Sequence, residues 1–274
     1  MNDIFNWSRF GRYLKHDLLR CFRSYKLAAL LLALLPLILL VLAFAFSLVF
    51  DLEQRTPSAE LRLGLGYAAL TVFLFSFPSR AYGLITDKRR GAAWMLVPVS
   101  MLEKFASMIL ITLVIAPVVL IGTHLTLDAA ICSIFPSCGE SLWSGLTEAL
   151  QENTSGSMKI YKDVDAVNII SEWTLGYTVF INTMFNNLLI FLLGAVIFKR
   201  HKIATTFLAC IGLTIVLSLL LGGISAAIGP RLDGIEINDE ASVSALVHIF
   251  IAVRTLFAAL LAFLVYLRLR TIRY

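Results

Sequence analysis

Six runs of apolar residues, near 27–50, 63–83, 104–127, 174–198, 203–227 and 246–267, dominate the chain. Each is long enough to cross a hydrocarbon layer about 30 Å thick, which takes roughly 20 helical residues. The runs are continuous and lack the period-two alternation of a barrel wall, so they predict helices and not strands. Backbone groups in lipid must pair internally, which leaves few other options. Of the 274 residues, 59% are hydrophobic and 15% charged, a balance outside the range of a soluble domain. The expected fold class is all-α: a single polytopic transmembrane domain over 1–274 with six transmembrane helices and no cleaved leader before Leu27.

Charge placement predicts the orientation. Of the 23 Lys and Arg, 17 fall in 1–26, 79–104, 198–203 and 266–274, whereas 14 of the 18 acids fall elsewhere, mainly in 51–60, 128–172 and 233–240. The positive-inside rule then places both termini in the cytoplasm, with 51–62, 128–173 and 228–245 outside. The large exterior loop, 128–173, holds Cys132 and Cys138 with five residues between them. A disulfide there suits an oxidising exterior, with two unpaired thiols as the alternative. A glycosylation triplet at Asn153 has meaning only in a eukaryotic secretory setting.

Residues 1–26 carry Phe5, Trp7, Phe10, Leu14, Leu18 and Phe22 at mostly three- and four-residue steps, with Arg9, Arg12, Lys15, Arg20 and Arg23 largely on other faces. That pattern predicts an amphipathic elbow helix lying on the cytoplasmic membrane surface. It serves either as a basic topology anchor or as an elbow that offers its polar face to a cytoplasmic partner.

Between the second and third runs, the segment TDKRRGAAWMLVPVSMLEKF is more elaborate than a hairpin requires. Asp87, Lys88, Arg89 and Arg90 form a charged turn, and Trp94, Met95 and Leu96 form an apolar patch. Pro98 breaks the chain, and Ser100 three residues before Glu103 has the spacing of a capping box that starts the third span. Such a short helix suits either the headgroup layer or a hydrophobic groove of a partner.

Chemistry is sparse in the apolar runs. None contains Asp or Glu, which argues against an ion-coupled carrier. Arg254 stands well inside the sixth run, so it is a candidate pathway residue together with Asn182 and Asn186 of the fourth; snorkelling, or pairing with Asn182, Asn186 or Asn187, is the structural alternative. Between the fifth and sixth runs, Gly222, Gly223, Gly229, Pro230 and Gly234 predict a re-entrant turn or a frayed helix end. Ser225 and His248 on neighbouring runs are weak candidates for a catalytic pair, no phosphate-binding loop of the GxxxxGK[ST] type occurs, and no cysteine spacing matches a metal site.

The segment SRAYGLITDKRRGAAWMLVPVSMLEKF resembles the corresponding part of bacterial ATP-binding cassette (ABC) transporter permeases of the type-2 exporter family, in which a leucine-proline-any-serine pattern followed by Glu-Lys-Phe comes after a charged turn. Here Val97 stands at the leucine position. The order of parts along the chain is also similar: an N-terminal amphipathic helix, six spans, both ends inside and a polar excursion before the last span. The resemblance implies a permease subunit in the bacterial inner membrane that pairs with a second permease chain, identical or not. It also implies two cytoplasmic ATPase subunits that carry the ATP and magnesium, with no cofactor or catalytic residue in this chain and no nucleic-acid partner. Residues 84–103 would then be the coupling segment. A membrane enzyme acting on lipids and a structural or regulatory membrane protein are the readings from other classes.

Overall fold

The computed structural model describes residues 5–50, 58–135, 140–144, 173–232 and 240–272, and among these the chain is helical almost throughout with no strand. The helices are α1 (Trp7–Ala33), α2 (Leu35–Phe50), α3 (Ala59–Tyr82), α4 (Lys88–Met95), α5 (Met101–Leu110), α6 (Ala116–Ile134), α7 (Trp173–Ile197), α8 (Lys202–Leu232) and α9 (Glu240–Thr271). A 3-10 turn, Gly83–Thr86, joins α3 to α4. A π-helical turn, Ile111–Ile115, joins α5 to α6. Five stretches are long and apolar enough to cross a membrane: Trp7–Phe50, Leu61–Thr86, Met101–Ile134, Phe180–Ile197 and His248–Thr271. Lys202–Val216 is a shorter apolar helix by the same measure.

Several boundaries differ from the sequence reading. No break separates a surface elbow from the first span near residue 26: α1 runs through that point, and the interruption comes at Leu34, two residues before Pro36. Proline lacks an N–H and crowds the carbonyl four residues back, which explains the break there. The bonds from Leu34 N–H to Leu30 O and from Ile38 N–H to Leu34 O keep the two helices nearly continuous. The third span reaches Ile134 and not 127, with its π turn placed just before Pro117, where the normal ladder cannot close. The backbone of α8 stays helical past Gly222, Gly223 and Gly229 to Leu232, so no re-entrant turn forms at those glycines.

α7 sits at the centre, packed on α3, α8 and α9, while α1 packs on α3, α5 and α6. The core runs through Tyr25, Phe73 and Phe77, then Tyr82, Ile85 and Met108, to Leu188, Leu192, Val265 and Leu269. Tyr25 meets Phe73 and Phe77 edge-on at 5.9 and 5.2 Å between centroids. Large apolar side chains cover much of the outside, Phe46, Val49 and Phe50 of α2 and Leu256 and Phe263 of α9 among them. In water such a surface would drive association, whereas lipid accepts it without cost.

The buried face of α1 is not the one that its amphipathic pattern predicts. Phe10, Tyr13, Asp17, Cys21 and Tyr25 face the protein, while Trp7, Leu18 and Phe22 are exposed. The helix buries a mixed stripe and turns its most apolar stripe outward, as expected where the outside is lipid. A further close approach joins α7 to α8, where a side chain at Gly194 would collide with Thr206. Gly194→Val should therefore destabilise the fold by about 1–3 kcal/mol, measured by detergent unfolding, as overpacking does elsewhere.

Candidate functional site

At the end of the bundle where α3 finishes, α1, α4, α5 and the 3-10 turn meet. Asp87 occupies the N-cap position of α4 without a side-chain cap, and Arg89, Arg90 and Leu96 are exposed. Leu96 is the most open of the predicted apolar patch at 83% exposure. Trp94, in contrast, is 7% exposed and belongs to the core, and Met95 packs against that core. This corrects the expected docking patch: the α4 helix turns its indole inward, so of the three residues Leu96 is exposed, Met95 half-buried and Trp94 buried.

Trp94 is held by a residue that the sequence reading did not single out. Lys104, 1% exposed, donates from Nζ to the carbonyls of Trp94 and Met95, both at 3.1 Å, and its ammonium lies 4.9 Å from the Trp94 ring centroid. The last carbonyls of a helix have no partner of their own, and a buried lysine supplies one here. α4 is thereby tied to the first turn of α5.

The capping box is present. Ser100 Oγ accepts the Glu103 N–H at 3.2 Å, and Glu103 Oε2 accepts the Ser100 N–H at 3.1 Å. Glu103 does more than close the box. Its carboxylate accepts the Asn6 N–H at 2.8 Å, Arg9 Nε at 2.8 Å and Arg9 Nη2 at 2.9 Å. Asn6 is in turn the N-cap of α1, its side chain accepting from Ser8 and Arg9. One carboxylate thus starts α5 and anchors the beginning of α1. Of the other elbow residues, Trp7 and Phe10 form an aromatic group with Phe5, while Arg12 and Lys15 are exposed.

A second buried carboxylate binds the same elements one level deeper. Asp17, 1% exposed, accepts from Tyr82 Oη at 3.1 Å and Ser107 Oγ at 2.9 Å, and pairs with Arg20 at 2.7 Å. α1, α3 and α5 therefore meet on one side chain. The turn that leads into α8 joins them: Lys202 Nζ donates to the Gly83 carbonyl and to Thr86 Oγ1. His201, with φ of 44°, makes that turn in the left-handed region, which histidine tolerates better than most residues.

Asp17, Glu103 and Asp128 all lie within helices long enough to span, so the expectation that the spanning helices carry no carboxylate is corrected. The helices overshoot the apolar runs, and each acid is buried beside hydrogen-bond donors. Asp128 stands at the end where α3 begins, paired at 2.8 Å with Arg62, which is 4% exposed and also donates to Glu140 O. Asp128 Oδ2 accepts the Leu142 N–H at 2.7 Å. Cys132 Sγ lies 2.7 Å from Arg62 Nη1. Cys138, most of the large loop and Asn153 lie outside the described residues, as do the side chains of Ser225 and Lys88.

Between α7 and α9 the structure brings the candidate pathway residues together with altered pairing. Arg254 donates to Thr183 Oγ1 at 2.9 Å and lies 5.1 Å from the Phe250 ring centroid. Asn186 donates to the Arg254 carbonyl at 3.3 Å and to Asn182 Oδ1 at 2.6 Å, and Asn182 donates to Thr255 at 2.9 Å. The asparagines thus bind the α9 backbone and Thr255, while the guanidinium goes to a threonine that the sequence reading passed over.

The chain is a multi-pass helical membrane protein with a polar, cross-linked assembly at one end. No family model, curated protein or solved structure matches it.

Proposed function

We propose that the chain is a permease subunit of an ATP-driven exporter in a bacterial inner membrane, with six spans, both termini cytoplasmic and a second permease chain beside it. Separate cytoplasmic ATPase subunits would supply ATP, magnesium and motion. The observation that supports this reading best is the joint at Glu103, where one buried carboxylate caps α5 and grips α1 through Arg9 and Asn6. Lys104 adds α4 to the same unit. A push on α4 would move the starts of α1 and α5 together, as a coupling element requires. In this reading α8 is the span added to the five, the fifth in chain order, and its 31 residues would cover about 46 Å at 1.5 Å each.

Docking falls to Leu96 with Arg89 and Arg90 around it. Leu96→Asp should abolish co-purification of the ATPase while leaving the permease folded, because a carboxylate in an apolar groove costs several kcal/mol and Leu96 is 83% exposed in its own chain. Ser100→Ala should leave association intact and loosen the first turn of α5 by about 1 kcal/mol, lowering transport per ATP. Unchanged association in Leu96→Asp would remove α4 as the docking element. Orientation has its own check: a cysteine placed at exposed Ala93 should resist an impermeant thiol reagent in intact cells and react after lysis.

A further inference from the structure

A groove of about 450 Å³ runs along α1, walled by α3 and by the span in which the π turn leads into α6. Tyr25, Phe73, Phe77 and Ile111 on its floor are buried, whereas Phe22, Leu30 and Val119 on its rim are exposed. Two local features shape it. Ala29 and Ala33 stand one turn apart on α1 and offer no more than a methyl group to the space. The π turn, Ile111–Ile115, supplies part of the facing wall, and such turns occur often at functional sites.

All three walls belong to stretches long and apolar enough to cross a membrane, so the open side of the groove faces hydrocarbon. Water gains little there. Tyr25 Oη is bonded to Ser76, and Thr123 Oγ1 donates to carbonyls of its own helix, which leaves Lys26 as the one charged group among the lining residues. A space without polar partners stays dry, and left empty it forfeits the dispersion contacts its walls could make. Shape then chooses among apolar occupants. From Leu18 to Ala33 the groove follows α1 for about 22 Å at 1.5 Å per residue, so its volume spreads into a channel about 20 Å² in section. A helix is about 10–12 Å across and needs several times that section, whereas a single hydrocarbon tail lies within it.

Charge names the kind of lipid. Lys26 is exposed on the rim and stands just before the apolar run that begins near residue 27, the level at which hydrocarbon gives way to headgroups. A cation at that level attracts anionic headgroups. From these observations we infer that the groove between α1, α3 and the π turn binds one acyl tail of an anionic membrane lipid, with Lys26 beside its headgroup. The seated tail completes the packing between α1 and the π turn. The inference needs only the groove and holds whether or not the chain is a permease.

The test uses the full chain purified in mild detergent, with native mass spectrometry counting adducts of added phosphatidylglycerol and phosphatidylcholine that carry identical tails. The parent should retain phosphatidylglycerol about fivefold better, the preference one lysine near the headgroup confers. Ala33→Phe from α1 and Thr123→Phe from α6 each put a ring into the channel. Either should lower retention of both lipids about tenfold, as loss of two buried methylene contacts does. Lys26→Gln should erase the preference and leave phosphatidylcholine retention unchanged. Ala259→Phe, on an exposed face of α9, should alter neither lipid. Thermal unfolding shows which variants fold, and one folded filling variant is enough to decide. Retention unchanged by filling the channel would overturn the proposal and place the adducts elsewhere on the apolar surface. Equal retention of the two lipids by the parent would overturn it as well. A filling variant that changes the oligomeric state and keeps its lipid would give the groove to a second copy of the chain.

Discussion

Arg62→Met is expected to lower the stability of the folded chain by about 3–5 kcal/mol, because it leaves the Asp128 carboxylate buried and without its counter-charge. Arg62 and Asp128 side chains are 3% and 1% exposed, so water cannot replace the lost partner. The same guanidinium holds the Glu140 carbonyl, so the start of the large loop should loosen with it. Adding Asp128→Leu removes the stranded charge and should recover part of the loss. Recovery stays partial, since the Leu142 N–H then has no acceptor. Reversible unfolding in mixed micelles, followed by circular dichroism, measures all three proteins. A single variant within about 1 kcal/mol of the parent would mean that the pair is open to water and contributes as a surface bridge does.

Asp17→Leu should cost a similar amount, about 3–5 kcal/mol, for the opposite reason: here the acid is removed and the donors are stranded. Tyr82 Oη and Ser107 Oγ lose their bonds to Asp17, and Arg20 loses the carboxylate that pairs with it. The single-donor variants Tyr82→Phe and Ser107→Ala should each cost about 1 kcal/mol, because Asp17 keeps its other partners. The sum of these two small losses should fall well short of the Asp17 effect, which marks the carboxylate as the shared node. Equal losses for Tyr82→Phe and Asp17→Leu would place the energy in the Tyr82 packing and not in the acid. Because Asp17 joins α1, α3 and α5, hydrogen exchange in the Asp17→Leu protein should rise at the α5 end of the bundle before it rises in α7.

Much of the fold was legible because it depends on neighbours in sequence. An apolar run of the needed length reads as a spanning helix whatever surrounds it, since the transfer of those side chains and the closure of their backbone bonds are local properties. Five such stretches stand where the runs placed them. The capping box was legible for the same reason: Ser100 and Glu103 are three residues apart, and a helix start needs nothing more distant. The break of the first helix beside Pro36 and the π turn before Pro117 were equally local, though the apolar pattern drew attention away from them.

Tertiary structure decided everything that depends on which helix meets which. Arg9 and Glu103 are 94 positions apart, and Arg62 and Asp128 are 66 apart, so no spacing announces either pair. The acids Asp17 and Glu103 within strongly basic segments were the one available signal, and it marked sites without naming partners. Trp94 and Leu96 are two residues apart in one apolar patch, yet one is buried and the other open, because α4 lies across the bundle end with Lys104 beneath it. The face that α1 buries followed the same logic. Its pattern records that one side is more apolar than the other; only the position of α3 and α5, offering Tyr82 and Ser107 to Asp17, settled that the mixed side turns inward and the apolar side meets lipid.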